Sequence, residues 1–195
     1  MHSFSKIGAL ALAATALSTG AVAATGSTGT VTLGGHVDAK CSVVGGSGST
    51  FSSSVDLGDL SGSDGQLRAA LAATTASSPA GGVQNFQIAC TGAGNTITLK
   101  ADPIKAQTAA ATGYANTINY TAEVDVALAS GSTSSTSHAS DSTVTTTNLN
   151  AADRLANLAN NVQIKAYGLN TTAGALLVAD PNYSGLISVT ISPGA

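Results

Sequence analysis

The sequence contains no tryptophan and only two cysteines, and charged residues make up 9% of the chain. Its few lysines and arginines form no basic patch, which argues against a nucleic-acid partner. Beyond the amino terminus no apolar run is long enough to cross a bilayer as a helix, so no membrane insertion is predicted. Aromatic residues amount to 4%, too few to supply the flat ring surfaces on which many carbohydrate-binding modules depend.

Patterns for catalysis and metal binding are also missing. Beyond the first residues the histidines are His36 and His138, and neither has a second histidine or a cysteine at the spacing of a metal site. No serine lies in a GxSxG elbow. We therefore predict that the protein is not an enzyme and that it has no catalytic, cofactor-binding or metal-binding residues.

Two acidic pairs are close in sequence. Asp56 and Asp59 are expected in turns, although a weak calcium contact stays open as an alternative. Glu123 and Asp125 lie two apart in a predicted strand, so they share its outward face. An exposed pair of this kind is more often a solvated surface than an acid–base couple.

The first 23 residues are interpreted as a secretory signal. A weakly basic start precedes an apolar run at residues 7–17, and Ala21, Val22 and Ala23 fit the small-x-small cleavage rule. The mature chain is expected to begin at Ala24. Such a signal is compatible with bacterial or eukaryotic secretion, and the absence of other eukaryotic processing signals favours a bacterium.

Cys41 and Cys90 are the only cysteines. In a secreted chain an even pair predicts a disulfide. It would close a loop of about 50 residues and stabilise the fold by about 4 kcal/mol in the chain-entropy model. A redox role would need a CxxC spacing, which the sequence lacks.

The segment GTVTLGGHVDAKC at residues 29–41 alternates in character. Its apolar face consists of Val31, Leu33, Gly35 and Val37. A period of two predicts a β-strand with one buried face, yet the segment lies at the start of the mature chain, where residues fray unless something holds them. The strand can therefore be buried either in its own domain or in a neighbouring molecule.

Further alternating segments bounded by turn residues predict an antiparallel β-sandwich. The clearest of them are residues 83–90, 96–101, 117–128, 161–167 and 185–192.

The remaining segments predict less regular structure. Residues 55–60 form a short alternating element, and the Ser/Thr-rich residues 130–147 are expected to be an exposed loop or a weak edge strand. Short helices are predicted within residues 64–76 and 150–160. In the second of these, Leu155 and Leu158 would face inward.

The order of these landmarks resembles the pilin subunits of chaperone–usher fibres, especially the archaic type and the spore coat protein U-like domain. The matching pieces are GTVTLGGHVDAKC, then VDLGDL, FQIAC, INYTAEV and a terminal YSGLISVTISP. In that family a tyrosine precedes a last strand that alternates Val or Ile with Thr or Ser. The residues in those places here are Tyr183, Ile187, Val189 and Ile191.

The resemblance implies an incomplete immunoglobulin-like sandwich at residues 38–195 that lacks its last strand. A periplasmic chaperone lends the missing strand, and at the outer-membrane usher the extension of the next subunit replaces it. Here that extension would be residues 24–37, with Val31, Leu33 and Val37 filling a groove. Gly35 would allow close backbone approach. The chain would then be a shaft or major pilin of a cell-surface fimbrium that supports adhesion or biofilm.

A secreted monomeric β-sandwich that binds carbohydrate or another surface is the alternative. The two hypotheses differ in what the first strand does, because a monomeric module completes its own sheet and a pilin donates the strand.

Overall fold

The computed structural model describes residues 29–45 and 48–194, so the predicted signal at residues 1–23 lies outside the described residues. The chain divides into two compact units, the first ending at Gly35 and the second beginning at His36. In the described part of the first unit, residues 29–35, no strand is present.

The second unit contains β-strands and a single helical turn. Its described elements, in chain order, are β1 (Cys41–Val43), α1 (Ala69–Ala72), β2 (Gln84–Phe86), β3 (Ile88–Cys90), β4 (Asn95–Lys105), β5 (Tyr114–Ala115), β6 (Thr117–Ala127), β7 (Thr133–Ala139), β8 (Thr147–Ala151), β9 (Val162–Asn170), β10 (Leu176–Leu177) and β11 (Ser184–Ser192).

Strands β4 and β6 form the corner of the fold. They pair only where Ile104 faces Ile118 and Lys105 faces Thr117. Away from the corner, β4 pairs with β11 on one side and β8 on the other, while β6 pairs with β9 and β7, and β9 pairs with β2. All of these pairings are antiparallel, and they create two layers, β11-β4-β8 and β2-β9-β6-β7. The predicted all-β antiparallel sandwich is therefore confirmed.

Both layers bury one face in a common core. Strands β4 and β6 alternate buried and half-buried residues along most of their length, as the period of two predicts. Both strands contribute to one hydrophobic cluster. Its most deeply buried aliphatic residues include Ile97, Leu99, Ile118, Val124, Val126, Val162 and Leu169.

The predicted disulfide between Cys41 and Cys90 is also confirmed. These two residues face each other in the antiparallel pair of β1 and β3. Next to them, the side-chain amide of Asn161 accepts from the Ile88 N–H at 2.8 Å and donates to the Ile88 carbonyl at 2.7 Å. One buried side chain thus takes the place of a backbone partner where the strand run of residues 83–90 divides into β2 and β3.

The side of the sandwich at β7 and β8 is closed. The Nδ1 atom of His138, in β7, lies 3.0 Å from the Thr147 hydroxyl, in β8. His138 is buried. The Ser/Thr-rich segment therefore contains an edge strand, the second of the two structures expected for it.

Two local predictions differ from the structure. The helix predicted within residues 64–76 is reduced to the single turn α1. No helix forms in residues 150–160: Leu155 is buried as predicted, but Leu158 is exposed. Backbone groups there bond to the end of β6 and the residues just after it, since the Ala156 N–H donates to Ala127 O and the Ala129 N–H donates to Arg154 O.

Candidate functional site

The opposite side of the sandwich is open and forms a long groove of about 1140 Å³. It runs between the edge strand β11 and the β2–β9 side of the other layer, and residues 51–61 form part of its wall. Among its lining residues are Phe51, Leu57, Phe86, Leu169, Ile187 and Val189. Serine and aspartate residues line it too, so its walls combine polar surface with somewhat more apolar surface.

One wall of the groove is β11. Its inward residues Ile187, Val189 and Ile191 face the buried Ala101, Leu99 and Ile97 of β4. The β11 residues are only half-buried, unlike those β4 partners. Among the described strands β11 pairs with β4 alone, so its other edge presents unpaired N–H and C=O groups beside an apolar surface.

The other wall includes residues 51–60, which form no strand. Phe51 packs against Phe86 with ring centroids 4.7 Å apart. Within the described part of the chain, the backbone groups of residues 51–56 make no hydrogen bond to another segment. The segment is anchored further along, where Arg68 donates to the carbonyls of Leu57 and Leu60.

Two tyrosines line the groove without adding charge. The Tyr120 hydroxyl donates to Asp102 O at 2.9 Å, and that of Tyr183 to Val178 O at 2.9 Å. Burial is the main reason why both phenol pKa values lie above the ordinary tyrosine value. Both hydroxyls are therefore neutral, hydrogen-bonded groups at neutral pH.

Carboxylates near the groove accept hydrogen bonds from backbone N–H groups. Asp59 accepts from the backbone and side chain of Ser61, which lowers its pKa. Asp180 accepts from the Thr108 N–H at 2.7 Å, with the same effect on its pKa. Asp56 accepts from the Gly58 N–H. Asp56 and Asp59 thus each bond to a backbone N–H two residues further on, and the groove offers apolar contact and a strand edge.

The described residues of the predicted extension, 29–37, are all exposed. Val31, Leu33 and Val37 are 87%, 91% and 79% exposed, and a Cβ added at Gly35 would meet nothing within 4 Å. None of residues 29–40 belongs to a strand. In the single chain, these described residues therefore form no β-ladder and bury neither face. That the segment pairs with another subunit stays a prediction.

The second acidic pair is not a solvated surface, contrary to the sequence-based expectation. The Lys165 ammonium contacts Glu123 and Asp125, and the Tyr167 hydroxyl donates to Glu123 at 3.0 Å. The three charged side chains are only 13–17% exposed. Because β9 places Lys165 directly opposite Glu123, its single positive charge offsets one of the two carboxylate charges, and the cluster keeps a net charge of −1.

The two histidines are not brought together. His36 is exposed beside Asp38, and His138 bonds to Thr147. In residues 29–45 and 48–194 no group of three His, Cys, Asp or Glu side chains is arranged to hold a metal ion.

Sequence reasoning found the β11 wall but not the opposite one. The only signal in this wall was the short alternating pattern at residues 55–60, next to a Gly/Ser-rich stretch, with no indication of which strand would pair with it. Whether such a segment pairs depends on tertiary structure.

No protein-family model, curated protein or solved structure matches the chain. No helix in the described residues has the length and apolar character needed to cross a membrane.

Proposed function

We propose that the protein is the structural subunit, a shaft or major pilin, of a bacterial surface fibre assembled by donor-strand exchange. One observation carries the proposal: the same chain has an open apolar groove with a free strand edge and an exposed segment with the alternating pattern of a buried strand. Each feature is unfavourable when left in water. Pairing the segment of one copy with the groove of another would bury the apolar side chains of both and satisfy the free strand edge.

The dimensions of the two features agree. A strand rises about 3.3 Å per residue, so residues 29–37 would span about 30 Å. Strand β11 has the same number of residues, nine. Burial of Val31, Leu33 and Val37 would each contribute about 1.5–3 kcal/mol, and backbone hydrogen bonds to β11 would add to this.

Such pairing produces a polymer. The donor segment and the groove are different surfaces, so the contact is heterologous and leaves a free groove or segment at each end of an assembly. Identical or related subunits would therefore add head to tail. The low charge of the chain supports close packing of subunits, because little charge repulsion has to be overcome.

An open groove must be covered before assembly. An unpaired edge beside apolar side chains invites aggregation, and a strand lent by a periplasmic chaperone would prevent it by β-augmentation. An outer-membrane usher would then exchange that strand for the next subunit's segment. The proposal therefore locates the chain in the periplasm and then in a cell-surface fimbrium, with a role in adhesion or biofilm.

The test is a gel of fibres sheared from producing cells, run in detergent with and without boiling. Wild-type protein should give a ladder of large species that collapses on boiling. The variant V31D/L33D should give no ladder, because charged side chains cannot enter the apolar groove.

The matched control is T30D/T32D, which places the same charges on the other face of the same segment and should keep the ladder. A lone monomer band from wild type, together with saturable glycan binding, would favour the monomeric binding module instead.

A further inference from the structure

Strand β7 pairs with β6 alone among the described strands, without a shift in register, so its outer edge has no partner there. Before this ladder the Leu128 N–H donates to Ser132 O. After it the Ser140 N–H donates to Tyr120 O. Because bonded and non-bonded pairs alternate in an antiparallel ladder, the even-numbered residues of β7 are the ones bonded to β6. The free N–H and C=O groups of the edge therefore belong to Thr133, Ser135 and Ser137.

Nothing along this edge opposes pairing with another strand. Exposed edges are commonly protected by charged side chains, proline or a bulge, and the β7 sequence TSSTSHA has none of these. The charged residues of the two layers lie instead on the central strands: Lys100, Asp102 and Lys105 in β4, Glu123 and Asp125 in β6, and Lys165 in β9. The other outer strands are β11, which borders the groove, and β2 and β8, which are shorter than β7. Outside the groove, β7 is therefore the longest unprotected edge in the described part of the chain.

We propose that β7 pairs antiparallel with β7 of a second copy, about a two-fold axis at Ser135. This axis sets Ser135 opposite its own copy and Thr133 opposite Ser137, so every free N–H faces a free C=O. A shift of the axis by one residue would set one of the three opposite Gly131, whose N–H donates to Leu128 O, or opposite Ala139, whose carbonyl accepts from the Ser142 N–H. The axis at Ser135 is thus the register that satisfies the whole free edge.

Charge and side-chain orientation favour a second copy as the partner. About a two-fold axis, a charged side chain near the centre would face its own copy and be repelled, whereas serine and threonine hydroxyls can form cross-strand hydrogen bonds. His138 is buried, so the even-numbered residues of β7 face inward and the odd-numbered ones outward. Because the proposed register pairs odd with odd, outward faces meet outward faces. Two β2-β9-β6-β7 layers would then form one continuous eight-stranded sheet.

This contact would be weak between two monomers. A single seven-residue edge buries far less surface than a stable dimer requires. Many such contacts acting together along a polymer would be much stronger. Where the proposed function holds, the groove contact would join subunits head to tail within a fibre, and the β7 contact would join fibres side by side.

The first test is disulfide cross-linking of the full chain in the V31D/L33D background, which removes the proposed groove contact and so separates the two interfaces. Ser135→Cys should give a covalent dimer on mild oxidation, because bonded antiparallel neighbours have Cα atoms about 5.5 Å apart, within the reach of a disulfide. The control Ser137→Cys, equally on the exposed edge, lies four residues, about 13 Å, from its own copy in this register. It should dimerise at least about 10-fold more slowly.

A mixture of Thr133→Cys and Ser137→Cys proteins should cross-link mainly to each other, since the proposed register sets these two residues opposite one another. Equal rates for Ser135→Cys and Ser137→Cys, or no dimer from Ser135→Cys, would overturn the two-fold β7 pairing. Either result would leave the proposed fibre function intact.

A second test adds no cysteine and detects weak association. In nuclear magnetic resonance spectra of V31D/L33D, the N–H signals of Thr133, Ser135 and Ser137 should shift as protein concentration rises. Adding Ser135→Lys should abolish the shifts, because two ammonium groups would face each other at the axis. The control Thr143→Lys adds the same charge at an exposed residue outside β7 and should keep them. Signals that do not depend on concentration in the parent, or that respond equally in both lysine variants, would contradict the proposal.

Discussion

The hydroxyl of Tyr120 lies 3.2 Å from the carbonyl oxygen of Leu186, in the edge strand that borders the groove. The same hydroxyl bonds to Asp102 O at 2.9 Å. A side chain from one layer thus ties β4 and β11 of the other layer together at the groove. Because β11 has no strand on its far side among the described residues, this contact stabilises the wall that the proposed donor would pair with.

Removing that hydroxyl should destabilise the fold. Tyr120→Phe keeps the ring and leaves the carbonyls without their side-chain donor, so we expect a loss of about 1–2 kcal/mol in the free energy of unfolding. Tyr114→Phe is the control, because Tyr114 is exposed. Urea denaturation of the two variants measures the difference. Equal stabilities would show that the Tyr120 hydrogen bonds contribute nothing net.

The protein should lose stability in alkali. The pKa values of Tyr120, Tyr167 and Tyr183 are raised from 10.0, chiefly by burial. Above pH 10 the unfolded chain therefore loses phenolic protons that the folded chain retains, and the free energy of unfolding falls as pH rises. The pKa of Lys165 is raised by its hydrogen bond to Asp125, and its contribution is lost in the same direction.

Stability measured by urea denaturation should be level from pH 7 to about 9 and decline above about 10. In Tyr120→Phe the decline should be shallower, since one of the raised phenols is gone. A decline of unchanged steepness in that variant would assign the alkaline effect to other groups.

Strand positions could be predicted because the period of two is a property of the chain itself. The residues 117–128 and 185–192 alternate cleanly, and the structure places β6 and β11 there. The disulfide followed from having only two cysteines in a chain interpreted as secreted. These features need no knowledge of what packs against them.

Other features depend on which segments pack against each other in the fold, and the sequence pattern does not indicate this. A helix was expected at residues 150–160 because their composition suits one, but β6 captures their backbone groups. Glu123 looked solvated because its strand face is outward, yet Lys165 on β9 covers it. The groove could not be located at all, since it is formed where two distant strands have no neighbour.

The ion pairs on the outer face of β6 and β9 should contribute to stability. Lys165→Met removes the ammonium and leaves Glu123 and Asp125 facing each other with little exposure, so we expect a loss of about 1–3 kcal/mol. The matched control is Lys100→Met, because the Lys100–Asp102 pair is 45% exposed on both side chains. Thermal unfolding compares the two, and similar melting temperatures would show that the cluster is no stronger than a surface pair.

The two faces of β11 should differ in their effect on assembly. Ile187 packs against the core and lines the groove, whereas Thr190 on the same strand is exposed and does not line it. Ile187→Asn would put an amide where a donated strand must pack, so it should abolish the boiling-sensitive ladder. Thr190→Asn places the same amide on the same edge strand, at an exposed residue that does not line the groove, and should keep the ladder. Circular dichroism of both variants checks that the sandwich still folds. An amide among the apolar contacts of the groove must weaken the binding of any strand there. If both variants folded and assembled equally, the groove beside β11 would therefore not be the surface that joins the subunits.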